Sequence, residues 1–251
     1  MGACLPKSGL TGRVESDEEW HICGRYVSIT SPEQLAEHFG VDEVRTESLG
    51  ERWNVAPSLD VYSVIETKGS RRLGKLRWGF VPHFAKEFKG RTPINARIES
   101  IDTNGMFRDA WQRHRCLLPA DAFWEWQDRG EGRRRQPFHI AAPDGSPLAF
   151  AGIWSVWRDP TTDDPDPVFT TAIVTTEARG RMEELHDRMP VILPRTLWQD
   201  WLTADPGDTP HLREAIEALG PPDLVATSVT GRVNNVRNEG PELVEPGTIE
   251  D

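Results

Sequence analysis

Short runs rich in β-branched and aromatic residues recur along this chain and most constrain what it can become. "YVSIT", "DVYSVIE", "KLRWGF", "RCLLPA", "FHIAA", "LAFAGIW", "FTTAIVTT" and "PVILP" are each the length of one strand, and Gly, Pro or charged turns separate them. Helical patterns are fewer. "SPEQLAEHFG" carries a full set of boundary signals: Ser31 as N-cap, Pro32 in the first turn, Gln34 at the capping-box position and Gly40 as the stop. "RTLWQDWLT" and "HLREAIEALG" read as two more helices, and "ESIDTNGMFRDAWQRH" as one centred on Met106–Arg113. Strands and helices do not alternate, which excludes a doubly wound parallel sheet. The pattern predicts a single-domain α+β fold with a curved, mostly antiparallel sheet, a pseudo-barrel flanked by helices.

The expected boundaries are a leader over 1–22, one domain over 23–238 and an acidic tail over 239–251, with a Pro- and Asp-rich surface insertion at "RDPTTDDPDP". The leader has no continuous apolar stretch of the kind a secretion signal needs, and no run in the chain is apolar enough to span a bilayer. Cys4, Cys23 and Cys116 are scattered and form no CxxC pair. A cytoplasmic protein without a disulfide framework is expected, nucleoid-associated when bound to DNA. Cys116, beside Leu117 and Leu118, reads as a buried packing residue.

The net charge of −11 argues against an anionic partner until its distribution is considered. From Lys68 to Arg97 there are nine basic residues and one acid, Glu87. Such a strip either binds an anionic strand or is simply a solvated hairpin; charge alone does not decide.

Residues with chemical potential gather in five segments. They are Cys23-Gly24-Arg25; "RWNVAPS" with Asn54, Pro57 and Ser58; "RWGFVPHFAK" through "INARIES" with Trp78, Asn95, Arg97 and Glu99; "LPADAFWEW" with Glu125; and "ELHDRMPVIL" with His186 and Arg188. Each has a plain structural reading: a packed cysteine, a solvated glutamate, a capping histidine. Strand alternation puts Glu125 on the face of Phe123, opposite Trp124 and Trp126. A carboxyl beside a large aromatic is desolvated, which raises its pKa and suits acid–base work. The His, Cys and Glu separations match no zinc pattern, and there is no P-loop, GxGxxG or GxSxG motif. No metal and no cofactor is expected.

"CGRY", "WNVAPS", "RWGFVP", "INARIES", "CLLPADAFWEW", "AGIW", "TTAIVTTEA", "LHDRMPVIL" and "VNNVRNEGPEL" occur together and in this order. From Cys23 to about Leu243 the chain thereby resembles the SOS response-associated peptidase family, whose members shield abasic sites in single-stranded DNA. The resemblance implies that Cys23, as an amino-terminal residue, forms a thiazolidine crosslink with the ring-opened sugar. It further implies that Asn95 holds this cysteine, Glu125 transfers protons during ring opening and imine formation, and His186 assists, including in reversal. Arg25, Arg97 and Arg188 would contact phosphates, Trp78 and Pro57 would lie against flanking bases, and Asn54, Ser58 and Thr175 would touch the strand backbone. The partner would be single-stranded DNA with abasic sites, bound by a monomer away from any membrane.

The chemistry is sound on general grounds. An α-amine, with pKa near 7.7–8.0, is far more nucleophilic at pH 7 than a lysine, and the thiol of the same residue closes a five-membered ring intramolecularly. The leader departs from the family pattern, in which the cysteine is residue two. Loss of 1–22, by a downstream start or by cleavage before Cys23, is the corresponding expectation. Two competing readings follow: a cysteine autopeptidase that removes its own leader, and a non-enzymatic single-strand binding module.

Overall fold

The computed structural model describes residues 23–88 and 92–249. The expected leader, Lys89 and Arg91 of the basic strip, and the last two residues of the tail lie outside them. Chain order begins with β1 (Arg25–Ser28), α1 (Pro32–Phe39), β2 (Glu43–Val44), β3 (Arg52–Val55) and the hairpin of β4 (Asp60–Thr67) and β5 (Ser70–Trp78). It continues through β6 (Asn95–Arg97), α2 (Arg108–Arg113), β7 (Arg115–Ala120), β8 (Ala122–Gln127) and β9 (Gln136–Ala141). A second long hairpin, β10 (Leu148–Trp157) and β11 (Val168–Glu177), leads to β12 (Arg188–Pro190), α3 (Trp198–Thr203), α4 (Thr209–Glu217) and β13 (Val225–Ser228).

The strands form two sheets. The smaller runs β13-β9-β8-β1-β3, antiparallel throughout. The larger runs β12-β11-β10-β7-β4-β5-β2, and parallel pairing of β11 with β5 closes β11, β10, β7, β4 and β5 into a ring. Closure removes the two open edges that a flat sheet of these strands would expose. β6 joins β11 in parallel through Asn95↔Ile173 and Arg97↔Thr175. The fold is thus the expected α+β architecture with a curved, mostly antiparallel sheet flanked by helices.

Strand alternation divides the apolar side chains among three clusters. On β1 and β8, Tyr26 and Phe123 enter a core that also holds Cys23, Trp78, Phe150 and Met189. Their neighbours Val27 and Trp124 face the other way, toward Val229, Val233 and Leu243. The helices cover the third cluster, where Trp111, Trp198 and Trp201 meet Leu35, Phe39 and Leu117. Helix α1 forms as its sequence predicts: Ser31 and Gln34 complete the capping box and Gly40 ends the helix at φ +62°.

The structure departs from the sequence pattern in several details. Helix α2 begins only at Arg108, and "PVILP" contributes one isolated bridge, Phe150↔Ile192, beyond β12. The tail is no appendage over its described part: Leu243 is fully buried, Gly247 N–H donates to Ser228 O at 3.0 Å, and Ile249 N–H donates to Gln136 Oε1 at 2.9 Å. Leu243, with partly buried Val244, packs in the cluster that holds Trp124, Val229 and Val233. The basic strip is partly spent on the fold, with Arg72 paired to Glu43 at 3.2 Å and Lys75 to Asp60 at 2.9 Å.

Gly152 lies opposite Cys116 across β7 and β10, where a Cβ would stand 2.8 Å from Cys116 Sγ and 2.9 Å from Leu118 Cδ1. Gly152→Ala should therefore overpack the ring and cost about 1–3 kcal/mol, seen as a Tm several degrees lower in thermal unfolding. An unchanged Tm would mean the ring has slack at this point.

Candidate functional site

Pairing of β1 with β8 sets Arg25 opposite Trp124 and Tyr26 opposite Phe123. Continued past the ladder's end, that register sets Gly24 opposite Glu125, and the nitrogen of the preceding residue, Cys23, donates to Glu125 Oε1 at 2.6 Å. Both residues are buried, at 1% and 2% exposure, and Cys23 holds a left-handed backbone conformation, φ +50°. A non-glycine residue in that conformation is strained and persists only where its surroundings impose it.

Burial dominates the electrostatics. It pushes the Glu125 carboxyl up to about 7, although hydrogen bonds from Cys23 and from the Trp126 amide pull the other way. Burial likewise holds the Cys23 thiol well above its ordinary range; the neighbouring Glu125 adds to this and Arg188 opposes it. At neutral pH Glu125 is thus divided between acid and base forms, while the thiol keeps its proton.

Glu125 opens into a cleft of about 650 Å³ bordered by Arg25, Pro57, Trp126, Arg133–Arg135 and His186. His186 also borders a second cleft of about 490 Å³, shared with Arg97 and Arg188. Burial lowers the His186 pKa, so its ring is neutral. Its Nδ1 lies 2.6 Å from Asp187 Oδ1 and 3.1 Å from the Arg188 amide nitrogen. One nitrogen cannot both donate and accept its single proton, and the shorter contact assigns that proton to Nδ1. Nε2 is then free to act as a base. Among the described residues no three His, Cys, Asp or Glu side chains cluster as a metal would require, and no helix is long and apolar enough to cross a membrane.

Several residues singled out by sequence stand apart from the clefts. Trp78 is fully buried against Tyr26 with its indole N–H on Ile94 O at 3.0 Å, so it braces the floor and cannot stack on a base. Asn54 is 1% exposed; its amide N–H groups donate to the carbonyls of Val233, Asn235 and Asn238, fixing the 233–238 loop instead of touching a strand. Thr175 is equally buried, its oxygens accepting from Arg188 Nη2. Ser58 is exposed at φ +74°, and its amide N–H is held by Trp78 O. Arg25 crosses the Trp126 ring at 4.9 Å and donates to Val233 O and Asn234 O. Asn95 and Arg97 point to the same side of β6, and Arg97 is exposed.

Sequence reading passed over Trp126, Asn234 and the arginines at 133–135. Trp126 Nε1 donates to Asn234 Oδ1 at 2.7 Å, joining β8 to the loop that Asn54 fixes. The "GRRRQ" run between β8 and β9 was the available signal, masked by the longer strip at 68–97. Among the described members of that strip, only Arg97 borders either cleft.

Fold and site together define a mixed α+β protein with a dry cysteine–carboxylate pair beneath an arginine-bordered cleft. The chain belongs to the SOS response associated peptidase (SRAP) family, whose model matches residues 22–236. It is 36% identical over 228 residues to the abasic site processing protein YoqW of Bacillus subtilis, covering 89% of this chain and 99% of that one. It is 29% identical to the abasic site processing protein YedK of Escherichia coli, covering 90% and 100%. A crystal structure of a Bacteroides thetaiotaomicron protein superposes with a TM-score of 0.76 over 90% of this chain and 100% of that one, at 20% identity, a likeness of fold alone.

The raised Glu125 pKa makes stability depend on pH. In the unfolded chain the carboxyl titrates at its ordinary 4.5, in the folded one at about 7. Being raised, it leaves stability intact below 4.5 and erodes it as pH climbs through 7. Glu125→Gln, neutral throughout, should therefore gain on the parent with rising pH, by up to about 3 kcal/mol above pH 7. Urea unfolding at pH 5 and pH 8 measures the gap. A variant less stable than the parent at pH 8 would mean that the hydrogen bond to Cys23 outweighs the burial of charge.

Proposed function

We propose that this protein processes abasic sites in single-stranded DNA by forming a thiazolidine with the sugar aldehyde, using Cys23 as an amino-terminal residue. The observation that carries the reading is the 2.6 Å contact between the Cys23 nitrogen and a buried carboxyl that titrates at about 7. The names of the family relatives supply the substrate class.

In the proposed reaction the α-amine adds to C1′ of the open sugar, and one amine proton passes through the Glu125 carboxylate to the aldehyde oxygen, giving a carbinolamine. The remaining N–H proton then passes by the same carboxyl to the departing hydroxyl, water leaves, and an imine remains. Sγ adds to the imine carbon while the thiol proton goes to nitrogen, closing the ring. Each step needs one proton moved over a short distance, which a group half-protonated at pH 7 does in either direction. His186 Nε2, at the junction of the two clefts, serves the same purpose from the opposite side. Arg25 and Arg133–Arg135 on one side, with Arg97 on the other, provide cations for the flanking phosphates.

The reading requires a free α-amine at Cys23, and therefore loss of residues 1–22. The same contact favours removal of that leader within the site. While Cys23 is internal its nitrogen belongs to the Ile22–Cys23 peptide bond, and the Glu125 carboxyl stands where a proton must be supplied to release it.

Two preparations test this, the full chain and a form whose first residue is Cys23, each mixed with a single strand bearing one abasic site. The Cys23-first form should give a species that survives a denaturing gel. Cys23→Ala should give none while still binding the strand, and Glu125→Gln should slow its formation by about 10²-fold or more. Crosslinking should be fastest between about pH 7 and 8, falling below that range as the amine protonates and above it as Glu125 loses its acid form. Crosslinking by Cys23→Ala would refute the mechanism.

A further inference from the structure

Arg188 is not offered to solvent as a cation awaiting a phosphate. Its side chain is 10% exposed, and its two terminal nitrogens grip Glu99 in a forked pair, Nη1 to Oε1 at 2.8 Å and Nη2 to Oε2 at 2.9 Å. Nη2 also donates to Thr175 O at 3.0 Å, while Nε is buried and has no hydrogen-bond partner. The guanidinium is therefore anchored from behind by β11 and capped in front by a carboxylate. Glu99 itself is 43% exposed on its side chain, two residues beyond Arg97, and burial raises its pKa less than the Arg188 pairing and backbone hydrogen bonds lower it, so it is ionised.

A forked carboxylate has the geometry and charge of two phosphate oxygens, and a planar guanidinium accepts either. Arg188 borders the cleft with Arg97 and His186, next to the cleft that contains Glu125. Glu99, whose own side chain is 43% exposed, thus occupies the face of Arg188 that an anionic strand would take. We infer that Glu99 is a resident phosphate substitute, a carboxylate that fills the Arg188 fork until a strand phosphate displaces it. The inference rests on the single-strand reading above. Its consequence is selectivity: a weakly held single anion does not open the fork, whereas a strand held simultaneously by Arg25, Arg97 and the 133–135 arginines does. Glu99 is a positioning residue, acting on the strand through Arg188.

The test is noncovalent binding of a fluorescein-labelled oligothymidylate to the full chain, followed by anisotropy over a series of salt concentrations. Glu99→Gln keeps the side chain's shape and an acceptor for Arg188 but removes the competing charge. It should bind roughly three- to tenfold more tightly at low salt and lose affinity more steeply as salt rises, since Arg188 then exchanges solution anions for phosphate. Removing any acid near a DNA site raises affinity somewhat, so Glu177→Gln, exposed on β11 opposite Arg188, sets the background. The gain of Glu99→Gln should exceed that of Glu177→Gln, and should vanish when Arg188→Gln is also present. A gain no larger than the background, a gain that persists without Arg188, or a loss of affinity in a variant whose Tm is unchanged would each overturn the substitute role. A parent chain that binds neither intact nor abasic strands would overturn the single-strand reading and this inference together, whereas a parent that crosslinks while Glu99→Gln gains nothing overturns this inference alone.

Discussion

A carboxylate buried at the base of a cleft must be satisfied or neutralised, and the rest of this structure is arranged around how Glu125 meets that demand. It is satisfied by one short hydrogen bond from the Cys23 nitrogen and neutralised, about half the time at pH 7, by its own raised pKa. The requirement propagates outward. Cys23 must sit just past the end of β1, in a strained left-handed conformation, so the β1–β8 register is fixed to within one residue. A slip by one would turn both Glu125 and Phe123 into the layer that Trp124 fills. The aromatic cluster of Tyr26, Trp78 and Phe150 behind the pair keeps water from the floor and the dielectric low.

The positive charge around this dry floor is carried by elements that the acidic body would not suggest. Arg25 comes from β1, which flanks β8, the arginines at 133–135 from the connection between β8 and β9, and Arg97 from the short β6 beside β11. On the Arg25 side the surroundings are tied together by hydrogen bonds. Asn54 and Arg25 both bond the 233–238 loop, Trp126 is tied to Asn234, and the described part of the acidic tail packs below it through Leu243. The excess of acids elsewhere does not cancel this local field, because exposed charges farther apart than about 10 Å are largely screened at ordinary ionic strength.

The fold class and the face on which Glu125 lies were legible in the sequence for physical reasons that apply to strands generally. Period-two alternation around "FWEW" assigned Glu125 to the face of Phe123, and that face proved to be the one that holds Cys23. Capping signals located α1 to the residue. What stayed hidden depends on distant pairing. Nothing local distinguishes Trp78, which is sealed in the core, from an aromatic that stacks on a base, or Asn54, which ties a loop, from an asparagine that touches a phosphate. Trp78 precedes a glycine and Asn54 stands three residues before a proline, and only the closing of β5 onto β11 and the return of the chain at 233–238 determine their surroundings. The charge run at 68–97 misled for the same reason: a strand in the middle of a sheet finds its counter-ions on neighbours far away in sequence, as Arg72 finds Glu43 on β2.

The two arms of the site differ in how they hold their cations, and this has a consequence for recognition. On the Arg25 side the guanidinium lies over Trp126 and bonds neutral carbonyls, an arrangement that leaves its charge uncompensated. On the Arg188 side the charge is already matched by Glu99. An anion approaching from solvent is drawn first to the uncompensated side, and reaches the matched side only if it is long enough to span His186 between the two clefts. A lone phosphate or a mononucleotide gains from one arm; a strand gains from both. Such asymmetry would select for polymer over fragment without reading any base.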